Sequence, residues 1–240
     1  MKLRQIVWFI ALLSTLLASL SAGWLIQASR DYAYPFWYDQ YDIAAHIDRF
    51  GPQNRYIQGL QTLPKDEHVR LFDDIVRAVH HHGEGLGDIR FITDGISRPL
   101  LRQPEIEHLQ DVANLIDVLR PAGLGAALLA LLLLRGLMRR KIRPHWRTQA
   151  MLLGSFTALL LAILFLAGPR QVFYQLHVWI FPDNHQWFFY YQDSLMSTLM
   201  KAPQLFAGIA MAIMASGLLI YALLIVLLLF WQHRISAGRP

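Results

Sequence analysis

Cysteine is absent from this 240-residue chain. That excludes disulfides, thiolate nucleophiles and every metal site built on sulfur. No Gly-x-Ser-x-Gly occurs, and Ser97, Ser194 and Ser197 do not sit in nucleophile-elbow sequences, so serine chemistry has little support. A His-Glu-x-x-His zinc signature is missing as well. Charge is absent from Gln5 to Ile26, and internal repeats and low-complexity tracts are absent throughout. What remains is a chain that is 55% hydrophobic.

The hydrophobic residues gather in four runs, at 5–26, 121–138, 149–168 and 205–231. Each approaches the roughly 20 residues that cross a bilayer core as a helix. Arg135, near the end of the second run, can snorkel to the phosphate level. The first run could be read as a cleaved signal peptide, with a basic start and small residues at Ala18–Gly23. It continues through Trp24, Leu25 and Ile26, however, which is long for such a segment. We therefore read it as a retained first helix.

Acidic residues are missing from one side of this arrangement. Residues 1–4, 135–148 and 232–240 carry ten of the 22 Lys and Arg and no Asp or Glu. The other side holds the remaining 12 and all 17 acidic residues, a net of −5. The positive-inside rule then places both termini and the 139–148 loop in the cytoplasm. It also makes the pI of 9.6 a topology signal, which outweighs a nucleic-acid role for the basic loop.

The expected fold is an all-α membrane protein of four transmembrane helices. Two segments lie outside the cytoplasm, a cap at 27–120 and an aromatic segment at 169–204. The cap is too small for a generous core of its own. Within it, Asp31–Tyr41 holds six aromatic residues, readable as an interfacial belt or as pocket lining. Residues 65–82 read as an amphipathic helix with Phe72, Ile75, Val76 and Val79 on one stripe, stopped by Gly83 and Gly85. Asp88–Ile92 reads as a short strand. A second amphipathic helix spans 104–119, with Pro104 at a first-turn position, Glu105 and Glu107 at the positive end of the dipole, and Ile106, Leu109, Val112, Ile116 and Leu119 in helical register. It feeds into the second membrane helix past Pro121 and Gly123.

The aromatic segment holds nine aromatic side chains and two of the ten histidines between residues 169 and 204. A plain loop would be polar and turn-rich. This one reads as the wall of a pocket for an apolar ligand with a titratable group, His177, inside it. Trp179, Phe181, Trp187, Phe189 and Asp193 are the candidate substrate-binding residues. Neither this wall nor the apolar stripe of 104–119 can be left in water, so the two are expected to pack together. His185, in the Asp183-Asn184-His185 turn, reads as solvated.

His108 and Asp111 are three residues apart and share a helix face. A carboxylate there can fix an imidazole's tautomer, although a surface histidine with a chance acidic neighbour is the plainer reading. His80-His81-His82 cannot converge on one ion, because successive helical side chains diverge by about 100°. No metal and no cofactor is therefore expected.

Glu105-Ile106-Glu107-His108-Leu109-Gln110-Asp111-Val112 resembles the Glu-x-x-His-x-x-Asp-Val element of a family of four-helix bacterial membrane proteins that includes the lipoprotein intramolecular transacylases. Leu176-His177-Val178-Trp179-Ile180-Phe181, Trp187-Phe188-Phe189 and the stretch from Leu195 to Pro203 resemble its second signature. The likeness covers most of the chain from about residue 54. Leu176 departs from the family's usual Phe, and neither the His80–His82 run nor the Asp31–Tyr41 aromatics belong to the pattern.

The resemblance implies that His108 and His177 are the catalytic pair, with Asp111 orienting His108. It implies acyl transfer from the glyceryl ester of a lipid-modified protein to that protein's N-terminal cysteine amine, in the bacterial cytoplasmic membrane. The partners would then be that lipoprotein and membrane lipid. A non-enzymatic envelope protein, an assembly factor or sensor binding through its cap, is the competing class. A convergent pair of histidines separates the two.

Overall fold

Four helices of the computed structural model, which describes residues 3–237, are long and apolar enough to cross a membrane. They are α1 (Leu3–Ala28), α5 (Gln103–Arg139), α6 (Trp146–Ala167) and α9 (Gln204–Ala237), with shorter helices α2 (Tyr34–Gln40), α3 (Ile43–Phe50), α4 (Lys65–His80), α7 (Pro169–Ile180) and α8 (Leu195–Leu199) between them. Strands β1 (Arg90–Thr93) and β2 (Ile96–Pro99) form an antiparallel hairpin. Lys2 and Arg239, two of the ten basic residues in the topology argument, lie outside the described residues.

The chain divides into two units, one within 1–26, 120–172 and 212–240, the other 27–119 with 173–211. The first is the set of apolar spans. Its core is Trp8, Ala11, Leu12, Leu137 and Leu228. Helices α1 and α9 approach so closely that a Cβ on Gly23 would stand 2.7 Å from the backbone nitrogen of Gly217. Glycine at such a crossing lets backbones touch where no hydrophobic effect drives association. Gln5 ties the ends together: its Oε1 accepts from the His145 amide at 2.8 Å and the Gln149 amide at 3.0 Å. Most of the remaining surface is Leu, Ile and Phe, as in the exposed Leu159, Leu161, Phe165 and Leu166 of α6. Such a surface suits lipid, not water.

In the second unit the two polar segments form one body, so the cap draws part of its core from the aromatic segment. Tyr34, Ile43, Ile47, Leu60, Leu71, Ile75, Leu86, Phe91, Leu100 and Leu195 are its large fully buried side chains. Tyr34 stacks on Phe72 with ring centroids 4.0 Å apart, and its hydroxyl donates to the Leu199 carbonyl at 2.7 Å. Tyr38 donates to Nδ1 of His68, whose Nε2–H donates to the Leu60 carbonyl. Tyr34 and Tyr38 are thus core residues, belonging neither to a belt nor to a pocket. A buried phenol needs a partner, and each has found one.

Helix α4 stops near the expected place, and Gly83 at φ +82° returns its amide to the Ala78 carbonyl. The expected strand exists, shifted to Arg90–Thr93, with a partner the sequence reading did not include. Asp94 and Gly95, both at positive φ, make the two-residue turn that Asp-Gly favours. Helix α5 runs unbroken through Pro121, although proline lacks the amide that would bond Asp117 four residues back. The aromatic segment begins with a helix, α7, where only a wall was expected.

Candidate active site

The start of α5 is fixed by Glu105, which is fully buried. One carboxylate oxygen accepts from the Arg102 amide at 2.8 Å and the other accepts from the Ser194 hydroxyl. Ser194 in turn caps α8 by accepting from the Ser197 amide. Burial pushes the Glu105 carboxyl up, against the lowering effect of these donors. One side chain therefore joins α5 to the 194–199 segment. His108 stands one turn further along, on the same face.

The His108 ring meets Phe181 edge-on at 5.1 Å between centroids and Phe189 at 6.0 Å. Its Nδ1 is buried without a hydrogen-bond partner. Burial brings the imidazolium down to about 4, with His177 lowering it further and Asp111 opposing. At neutral pH His108 is therefore an uncharged imidazole. His177, on α7, lies 5.2 Å from the same Phe181 ring, 4.7 Å from Trp187 and 4.0 Å from Phe173. Its Nδ1 lies 2.8 Å from the Phe173 carbonyl oxygen. A carbonyl can only accept, so Nδ1 carries the proton and Nε2 presents its lone pair. Two imidazoles from elements some 70 residues apart thus flank one phenylalanine, one of them set in the tautomer of a base.

The expected packing of α5 against the aromatic segment is present. Asp111 differs from expectation in its partner. Its carboxylate accepts from His185 Nδ1 at 2.7 Å, so the structure gives it to His185 and gives His108 no hydrogen bond to it. His185, expected to be solvated, is only 29% exposed and bridges the 182–186 turn to α5. No local signal could have paired residues 111 and 185. Of the candidate substrate residues, Phe181, Trp187 and Phe189 surround the two histidines. Trp179 is on the opposite face of α7 and exposed. Asp193 makes an ion pair with Arg55 at 3.2 Å, tying the 191–193 turn to the loop after α3.

The His80–His82 run disperses. His80 Nε2 bonds the Tyr32 hydroxyl at 2.8 Å, His81 donates to the Arg77 carbonyl, and His82 donates to Asp117 at 2.7 Å. Among the described residues no three His, Asp or Glu side chains are grouped to hold a metal ion.

The family model for the lipoprotein intramolecular transacylase Lit matches residues 7–206. The chain belongs to that family. Two in meso structures of the membrane-integral lipoprotein intramolecular transacylase Lit from Bacillus cereus share its fold. One carries a histidine-to-arginine substitution, with TM-score 0.65 and 16% identity over 97% of this chain and 94% of that one. The other has TM-score 0.62 and 15% identity over 96% and 98%. No curated protein matches the sequence significantly. Membership makes this chain a multi-pass membrane acyltransferase of the lipoprotein transacylase type, and the competing non-enzymatic class falls away.

Proposed function

We propose that this protein moves an acyl chain from the glyceryl ester of a bacterial lipoprotein to the amine of that protein's N-terminal cysteine, using His108 and His177. The observation that carries this reading is their convergence on Phe181, at 5.1 and 5.2 Å. His177 Nε2 takes a proton from the attacking amine. The nitrogen adds to the ester carbonyl, and His108, kept neutral by burial, offers a ring N–H to the oxyanion. Collapse breaks the C–O bond, and the proton held by His177 passes to the leaving glyceryl oxygen. An amide replaces an ester with no net proton change and no cofactor. Phe181, Trp187 and Phe189 wall the acyl chain, while Asp111 acts through His185 to hold the 182–186 turn. Because amine and ester belong to one molecule, holding them in contact supplies much of the barrier reduction.

The charge partition supports placing both termini in the cytoplasm and the His108–His177 site at the outer face of the bacterial cytoplasmic membrane. Reporter fusions after Arg147 and Arg234 test this, and an external signal from either refutes it. The chemical test is mass spectrometry of the N-terminal lipopeptide made by purified protein from a diacylglyceryl lipopeptide. His108→Ala and His177→Ala should each remove the product without unfolding the protein. Wild-type product from both variants refutes the pair.

A further inference from the structure

Helix α7 has two unlike faces. Phe173, His177 and Phe181 turn toward the Trp187 ring and His108. Leu176, Val178, Trp179 and Ile180 are exposed, at 44%, 51%, 73% and 47%, and Trp179, with Leu176 three residues before it, lies on the side away from His177. None of the helix's 12 residues is buried. Four large exposed apolar side chains on a single short helix, Leu176 and Trp179 together on one side of it, are a surface that water does not tolerate uncovered.

The sequence around it indicates what covers it. Gly168 alone separates α7 from α6, and its φ of +82° makes the turn between them. Helix α6 is long and apolar enough to cross a membrane, and α7 begins two residues after its last residue. From Gln171 to Pro182 no residue carries a formal charge. Tryptophan is enriched at the boundary between headgroups and hydrocarbon. We propose that α7 lies in the plane of the extracytoplasmic leaflet, its Leu176–Trp179 face among the acyl chains of membrane phospholipid.

A helix held this way is buried roughly 5–10 Å into the headgroup and acyl boundary. That depth is where a diacylglyceryl group keeps its ester carbonyls. His177, on the opposite face of the same helix, would meet the ester without the lipid leaving the membrane. The proposal rests on the topology and on the exposure of α7, not on the acyl-transfer reading, and its test is independent of activity.

The chain's lack of cysteine permits single-cysteine labelling without altering any other residue. Leu176→Cys and Trp179→Cys change only exposed side chains, so folding is not at risk. Leu161→Cys, in the middle of α6, is the lipid reference, and Glu84→Cys is the water reference. Each variant carries a nitroxide in nanodiscs of phosphatidylethanolamine and phosphatidylglycerol, one protein per disc. Collision with oxygen and with a water-soluble nickel chelate is then measured. Positions 176 and 179 should resemble Leu161, with oxygen collision severalfold above nickel collision. A nickel-dominated signal like that of Glu84 overturns the proposal. So does protection from both reagents together with spin–spin broadening at higher loading, which would put a second copy of the chain on this face.

Discussion

Replacing Glu105 probes how the site is held together. Its carboxylate accepts from the Arg102 amide and the Ser194 hydroxyl in a fully buried position. Alanine leaves both donors without acceptors, at about 1–3 kcal/mol each, and opens a cavity. Relief of the carboxyl's desolvation offsets part of that, giving a net loss of about 2–4 kcal/mol. Glutamine has the same shape. Its carbonyl oxygen can accept from the Arg102 amide while its NH₂ donates to Ser194 Oγ, which keeps a free lone pair beside the Ser197 bond. The Ser194 hydroxyl hydrogen then loses its acceptor and Arg102 its opposing charge at 3.4 Å, so the expected cost is about 1–2 kcal/mol, below that of alanine. Guanidinium unfolding in detergent, followed by tryptophan fluorescence, measures both variants. The double variant Glu105→Ala/Ser194→Ala should cost less than the two single changes added together, because they remove one shared bond. Equal stability of Glu105→Ala and wild type, or equal damage from alanine and glutamine, would refute the argument.

Loss of either His108 or His177 should lower lipopeptide acyl transfer by on the order of 10²–10⁴, with Tm nearly unchanged. His185→Ala and Asp111→Ala should match each other more closely than either matches the dyad variants, since each removes the same tether, and rate measurements on all four check this. Burial, the first cause for both, lowers His46 and His108 from 6.5 to about 4. The unfolded chain therefore binds more protons between those values, and stability present above pH 6.5 is lost as pH falls toward 4, by on the order of 3 kcal/mol per histidine as an upper limit. Denaturant titrations at pH 7 and pH 5 should show that sign. Gly23→Val should separate α1 from α9, because its Cβ would meet the Gly217 backbone nitrogen at 2.7 Å. A clear drop in thermal stability in detergent is expected, whereas Gly125→Val, where a Cβ meets open space, should cost little.

Much of the architecture was legible because its signals are local. An apolar run of about 20 residues declares a span without reference to anything else, and the four runs lie within α1, α5 and α9 and nearly coincide with α6. The 3.6-residue period of Phe72, Ile75, Val76 and Val79 likewise declared α4, and the Glu-x-x-His spacing put Glu105 and His108 on one face. Asp94-Gly95 carried a hairpin signal that was there to be read. Tertiary structure decided the rest, because burial and pairing depend on residues far apart in the chain. Tyr34 became core through Leu199, 165 residues away. Asp111 has two histidines within its electrostatic reach, and only the fold chose His185, 74 residues on, over His108 in its own helix. An aromatic residue near a span looks the same in a belt, a pocket or a core. What distinguishes these fates is whether another element arrives to exclude water, and no local pattern records that.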